Sequence, residues 1–212
     1  MNSRENVLGR IRAALTDVPG TERPQDVPVP RAYRRSHAEG DALGLFAERV
    51  ADYRATVVRA DVKEAAEAIG RALTGRGMTR AAVPDGFPPQ WLPDGAWTWL
   101  RDTPPLSVAE LDQAGAVVTT AALGIAVTGT LVLDAGPGQG RRALTLLPDY
   151  HLCVVRADQI VGDVPEALAL LDPSRPLTFV SGPSATSDIE LDRVEGVHGP
   201  RTLDVIILTE TS

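Results

Sequence analysis

Between residues 2 and 16, "NSRENVLGRIRAALT", the apolar positions Val7, Ile11 and Leu15, with Ala14 beside them, recur at the helical period. Asn2 and Glu5 stand at the spacing of a capping box, so the stretch predicts an amphipathic helix with little nearby to bury its stripe. From Val18 to Arg35 the pattern changes to "VPGTERPQDVPVPRAYRR", whose four prolines and lack of any period predict an extended arm. Residues 1–36 therefore read as a helix on a proline-rich arm, and residues 37–212 as the main domain. A helix so placed docks either on its own domain or on another protein, and a homo-oligomer formed through it is one expectation.

After His37 the periods alternate. A helix in "GDALGLFAERVADYR" precedes the β-rich run "ATVVRA"; a second helix in "DVKEAAEAIGRALTGRG" precedes "TRAAVP". Such alternation predicts parallel strands with helices on the faces of the sheet. Beyond Trp91 the segments shorten to "WTWLRD", a helix in "SVAELDQAG", "AVVTTA" and "GIAVTGTLVLDAG". "RRALTLLP", "HLCVVRADQIVG", a helix in "DVPEALALLD", "LTFVSG" and a last strand "TLDVIIL" follow, with no repeat at a fixed period. Consecutive β-rich runs and glycine turns make the middle read as antiparallel. The fold class expected is α/β, with a mixed, mostly parallel sheet flanked by helices.

Composition narrows the function classes. With 212 residues, 43% of them hydrophobic, the chain is long enough for one sizeable core. No run of 18 or more uncharged apolar residues occurs and the first segment lacks a leader's apolar stretch, so no membrane span is expected and the reading is cytoplasmic. A net charge of -7 argues against nucleic acid, whose binding needs clustered cations. Lys63 is the only lysine, in a stretch that reads as an exposed helix face, which removes Schiff-base chemistry and a Walker-type phosphate loop. Cys153, the single cysteine, sits in an apolar run and reads as a small buried hydrophobe; one thiolate cannot hold an iron–sulfur cluster.

Two stretches concentrate the candidate chemistry. In "GIAVTGTLVLDAG" an unbroken strand would place Thr128 and Thr130 on one face with Gly129 interrupting the other. A glycine there marks either a bulge or the close approach of a backbone or ligand, whose polar end the two hydroxyls would meet. The following "AGPGQGRR" reads as a hairpin tip, because Pro137 and the strand-like "RRALTLLP" do not fit a dinucleotide fingerprint; an anion site on Arg141 or Arg142 is the alternative.

The second stretch is "FVSGPSATSDIELDRVEGVHGPRTLDVIIL". "PLTFV" reads as a buried strand whose carboxyl end carries Ser181, Gly182 and Ser184, the place where open α/β sheets bind ligands. Ser187 and Glu190 have capping-box spacing, which accounts for part of the hydroxyl and carboxylate density. A Ser184, Asp188, His198 triad lacks the G-x-S-x-G elbow. A metal site from Asp188, Glu190 and His198, with His151, lacks a recognisable ligand spacing. A polar pocket remains, in which Ser184 and Thr186 donate to an anion and Asp188 or Glu190 transfers a proton, while His198 serves equally well as a turn histidine.

At these residues the sequence resembles the lactate utilisation protein C group within the wider LUD domain family. The resemblance rests on "GIAVTGTLVLDAG", on "LTLLPDYHLCVVRADQIV" and on the block "SGPSATSDIE" with "GVHGP", in that order over residues 38–210. It implies a fold similar to the group containing ribose-5-phosphate isomerase, CoA transferases and methenyltetrahydrofolate synthetase. It further implies a subunit without a cofactor of its own, supporting the oxidation of L-lactate to pyruvate beside iron–sulfur partner subunits that carry the clusters. An alternative is a stand-alone enzyme or a sensor for a small phosphorylated, CoA-linked or carboxylate metabolite.

The family commonly reads A-E-T-G-T where this chain has Ala126-Val127-Thr128-Gly129-Thr130, and Val127 transfers no proton. Either the chemistry here does without that carboxylate, or the chain is a structural or ligand-binding subunit. Carried over position by position, the family blocks leave Thr128, Gly129, Thr130, Ser181, Gly182, Ser184, Asp188, Glu190 and His198 as pocket candidates.

Overall fold

The computed structural model describes residues 2–23, 26, 29–30, 40–186, 194–195 and 199–210. The chain divides into two compact units, Met1–Tyr33 and Arg34–Ser212. In the first, helix α1 (Ser3–Ala14) opens with the expected capping box: the Glu5 amide donates to Asn2 Oδ1 at 2.9 Å and the Asn2 amide to Glu5 Oε2 at 3.1 Å. No residue of α1 is buried, and Val7, Ile11 and Leu15 are all about half exposed.

The second unit runs α2 (Ala42–Asp52), β1 (Thr56–Asp61), α3 (Ala65–Gly75), β2 (Arg80–Val83), β3 (Thr98–Arg101), α4 (Val108–Ala114) and β4 (Ala116–Thr120). There follow β5 (Leu123–Ile125), β6 (Thr130–Leu133), β7 (Tyr150–Arg156), β8 (Ile160–Val161), α5 (Val164–Leu170) and β9 (Thr178–Val180). Two short strands, β10 (Ala185–Thr186) and β11 (Val194–Glu195), pair antiparallel before the long β12 (Thr202–Thr209).

Six strands form one wholly parallel sheet in the order β1-β12-β7-β4-β2-β3. Its central strands, "YHLCVVR" and "TLDVIILT", read as near-continuous apolar runs because both faces are covered. On one face Leu152, Val154, Ile206 and Leu208 pack with Ile69 and Leu73 of α3. On the other, Cys153, Val155, Val205 and Ile207 pack with Phe46 and Val50 of α2 and with Leu131 and Leu133 of β6. Farther along this face, α4 joins through Leu111 and Ala114 against Ala82 and Val117.

The antiparallel pairs expected for the middle of the chain gather in a separate four-stranded sheet, ordered β8-β5-β6-β9. Three details depart from the sequence reading. "GIAVTGTLVL" is not one strand, since the chain turns at 126–129 between β5 and β6, which pair with each other. "RRALTLLP" is not a strand but contains a 3₁₀ helix, Arg142–Thr145, which drives Leu144 into the cluster around Leu111. "AGPGQGRR" is accordingly no hairpin tip: it crosses to the parallel sheet, where the Thr120 amide donates to Gly138 O and the Gly138 amide to Asp85 O, both at 2.7 Å.

Candidate functional site

The turn at 126–129 and the loop at 181–184 meet through hydroxyls. Thr130 Oγ1, in a residue only 5% exposed, lies 2.8 Å from Thr128 Oγ1 and 2.7 Å from Ser181 Oγ, and donates to the Thr128 carbonyl at 3.3 Å. Both flanking glycines abut the end of α2. Gly129 has φ 57°, and a Cβ there would stand 2.7 Å from the Arg49 carbonyl carbon; Gly182 has φ 81°, with its Cβ 2.5 Å from Tyr53 Cβ. These two positions thus need glycine for a left-handed backbone and for the close approach of protein atoms. The neighbour anticipated at Gly129 is a helix backbone.

Ser184 sits where this loop meets the chain entering β12: its amide donates to Pro200 O at 2.9 Å. β9 is an edge strand of the smaller sheet, with Phe179 47% exposed, so "PLTFV" is not the buried strand of the sequence reading. Ser181, Gly182 and Ser184 therefore lie near the amino end of β12 and away from the carboxyl edge of the parallel sheet. They line a cavity of about 290 Å³ shared with Arg142, Thr145, His151 and Leu203.

His151 comes from the amino end of β7 and is 2% exposed. Its Nε2 shares a 2.8 Å hydrogen bond with Thr119 Oγ1, and burial lowers its pKa to about 4, so the ring is neutral at pH 7. Thr119 Oγ1 also donates to Cys153 Sγ at 3.7 Å; burial pushes that thiol up to about 12, against the depressed value a thiolate nucleophile needs. Arg141 is bound to Asp102 through Nε at 2.8 Å and Nη2 at 3.0 Å, whereas Arg142 makes no ion pair among the described residues. Hydroxyls, one guanidinium and a neutral imidazole suit a small anion that accepts hydrogen bonds.

Of the nine candidates, Thr128, Thr130 and Ser181 are joined through their hydroxyls, with Gly129 in the same turn, and three, Ser181, Gly182 and Ser184, line the cavity. Thr128 also faces an open depression with Arg49, Asp52, Tyr53 and Val127. Asp188, Glu190 and His198 lie outside the described residues, as do the Ser187–Glu190 capping box and the side chain of Thr186. The sequence offers His151 only as a metal ligand and Arg142 only as a glycine-loop anion site; the signal for His151 is a polar residue inside an apolar run. Among the described residues no group of three or more His, Cys, Asp or Glu side chains is placed to hold a metal ion.

Fold and cavity define an α/β protein with an open parallel sheet and a small polar pocket near its amino edge. The LUD domain model matches residues 108–208. A lactate utilization protein C from Deinococcus radiodurans is 50% identical over 185 residues, 85% of this chain and 84% of that one. Its counterpart from Bacillus licheniformis is 30% identical over 132 residues, 57% of this chain and 54% of that one. A crystal structure of a DUF162 family protein from Deinococcus radiodurans superposes with a TM-score of 0.69 at 43% identity, covering 85% of this chain and 99% of that one. This chain belongs to the lactate utilisation protein C family of LUD domain proteins.

Proposed function

We propose that this protein is a cytoplasmic subunit of a bacterial lactate utilisation system, supporting the oxidation of L-lactate to pyruvate beside iron–sulfur partner subunits. The observation that carries the reading is the 50% identity, over 85% of the chain, to a relative named lactate utilization protein C. The single Cys153 supplies one thiolate where a cluster takes about four, so the clusters belong to the partners. The half-exposed apolar stripe of α1 supports docking, on such a partner or on a second copy. Deleting the gene from the native host tests the reading: growth on L-lactate is lost while growth on glucose is kept, and undiminished lactate consumption overturns it.

The cavity around Ser181 favours a second reading, a sensor or enzyme that binds a small carboxylate metabolite. Its volume of about 290 Å³ and the guanidinium of Arg142 suit a molecule of a few carbons with an anionic end. L-Lactate or pyruvate at about 100 times its Kd would then stabilise the fold by about 2.7 kcal/mol, and Arg142→Gln would abolish the thermal shift. No shift with either acid at millimolar concentration removes this reading and leaves the first intact.

A further inference from the structure

A larger cavity, of about 620 Å³, opens at the opposite edge of the parallel sheet and contains none of the candidates read from the sequence. Its place follows from the topology. β2 and β4 are neighbours, yet the chain leaving β2 runs outward to β3 while the chain leaving β4 returns on the other side as β7. Connections that depart in opposite directions leave a crevice beyond the carboxyl ends of the two strands, where open parallel sheets bind ligands. Gly86, Pro88 and Trp91 from the first connection and Thr120 to Leu123 from the second line this cavity.

The lining is divided in character. Trp91, Leu123, Val154 and Leu171 offer an apolar wall that includes an indole, itself fixed edge-on against Phe87 with ring centres 6.1 Å apart. The same lining holds two arginines and three carboxylates: Arg156 pairs with Asp158 at 2.9 Å, Arg175 pairs with Asp134 at 2.7 Å, and Asp172 accepts from the amide and hydroxyl of Ser174. The Arg156 and Asp158 side chains are 46% and 69% exposed, so solvent screens that pair and it exchanges readily for a stronger anion; Arg175 is 40% exposed and its partner Asp134 14%, which leaves part of that guanidinium open to the cavity. A guanidinium that holds a phosphate bidentately releases its carboxylate to accept hydroxyl hydrogens. The amides of the glycine-rich loop take no part, since those of Gly136 and Gly138 are already bonded to Asp134 Oδ1 and Asp85 O.

We infer that this crevice is a nucleotide site: a base lies on the wall of Trp91, Leu123 and Leu171, a phosphate meets Arg156 and Arg175, and ribose hydroxyls donate to Asp134 or Asp158. The site is separate from the cavity at Ser181 and does not depend on the role in lactate utilisation.

Calorimetric titration of the full chain with AMP, adenosine and inorganic phosphate tests it. AMP binds at least about tenfold more tightly than adenosine or phosphate alone, because only AMP engages both parts of the lining. Arg156→Gln and Arg175→Gln each weaken AMP about tenfold, and Arg142→Gln, in the other cavity, leaves it unchanged. Binding of phosphate as tight as AMP, equal binding of AMP by the arginine variants, or no binding of AMP, GMP, CMP or UMP at millimolar concentration overturns the inference.

Discussion

At the amino edge of the parallel sheet Asp204 is held from several sides; at the carboxyl edge Arg156 and Arg175 keep their charges partly in water. Asp204, 4% exposed, accepts from Arg76 Nε at 3.2 Å, Arg76 Nη2 at 2.7 Å and Tyr150 Oη at 2.8 Å. Burial first, and then the Asp204 anion, raise the Tyr150 phenol far above its ordinary range, so it stays a donor. Arg76 caps the end of α3, and its guanidinium lies 5.9 Å from the Tyr150 ring centre, so the network ties a helix end to two central strands. By contrast, Asp158 is 69% exposed opposite Arg156. The Asp204 network serves position, whereas the Arg156–Asp158 pair stays exchangeable.

The largest expected effect separates the edges by pH. The folded His151 pKa, about 4, lies below its ordinary 6.5, so within that interval the unfolded chain binds a proton that the folded one does not. Stability is full above pH 6.5 and falls as pH drops toward 4, by up to about 3 kcal/mol from this group. Urea unfolding across that range shows the slope, and His151→Gln flattens it. An unchanged slope in the variant places the acid sensitivity elsewhere.

Next comes Asp204→Asn, which removes the charge facing Arg76 while nearly keeping shape. It lowers unfolding free energy by about 2 kcal/mol, discounted for the exposure of Arg76, with Tyr150→Phe costing about 1 kcal/mol. Thr130→Ala is smaller, about 1 kcal/mol, because it leaves Thr128 and Ser181 without their shared partner. The smallest effect is at the opposite edge: Arg156→Gln changes stability by less than about 0.5 kcal/mol. A loss as large as that of Asp204→Asn would erase the contrast and make Arg156 a structural residue.

Much of the fold was legible in the chain because buried parallel strands and amphipathic helices carry strong local periods. "ATVVRA", "AVVTTA" and "TLDVIIL" lie in parallel strands, and "SVAELDQAG" forms a capped helix with Ser107 and Glu110. What failed were segments whose local pattern is ambiguous. "AVTGT" keeps a period of two through a turn, and only the backbone of Arg49 reveals why Gly129 is there. "ALTLL" is apolar enough for a strand, but Leu144 finds its place in a 3₁₀ turn beside Leu111.

The candidate site was partly legible for a related reason. Thr130 and Ser181 are 51 residues apart, and their hydroxyl contact follows from β6 pairing with β9. The residues of the loop at Ser181 mark a binding loop but do not fix which edge it joins, because strand order in a sheet is set by distant pairings. The nucleotide crevice draws its lining from several separated segments, so no short stretch announces it.

The most direct test of the proposed role is purification through this chain, under native conditions, from its host grown on L-lactate. The account predicts that iron-bearing subunits co-purify and that the assembly reduces an artificial electron acceptor when given L-lactate. Recovery of the chain free of iron-bearing partners, with all lactate-dependent reduction left in the flow-through, would contradict it.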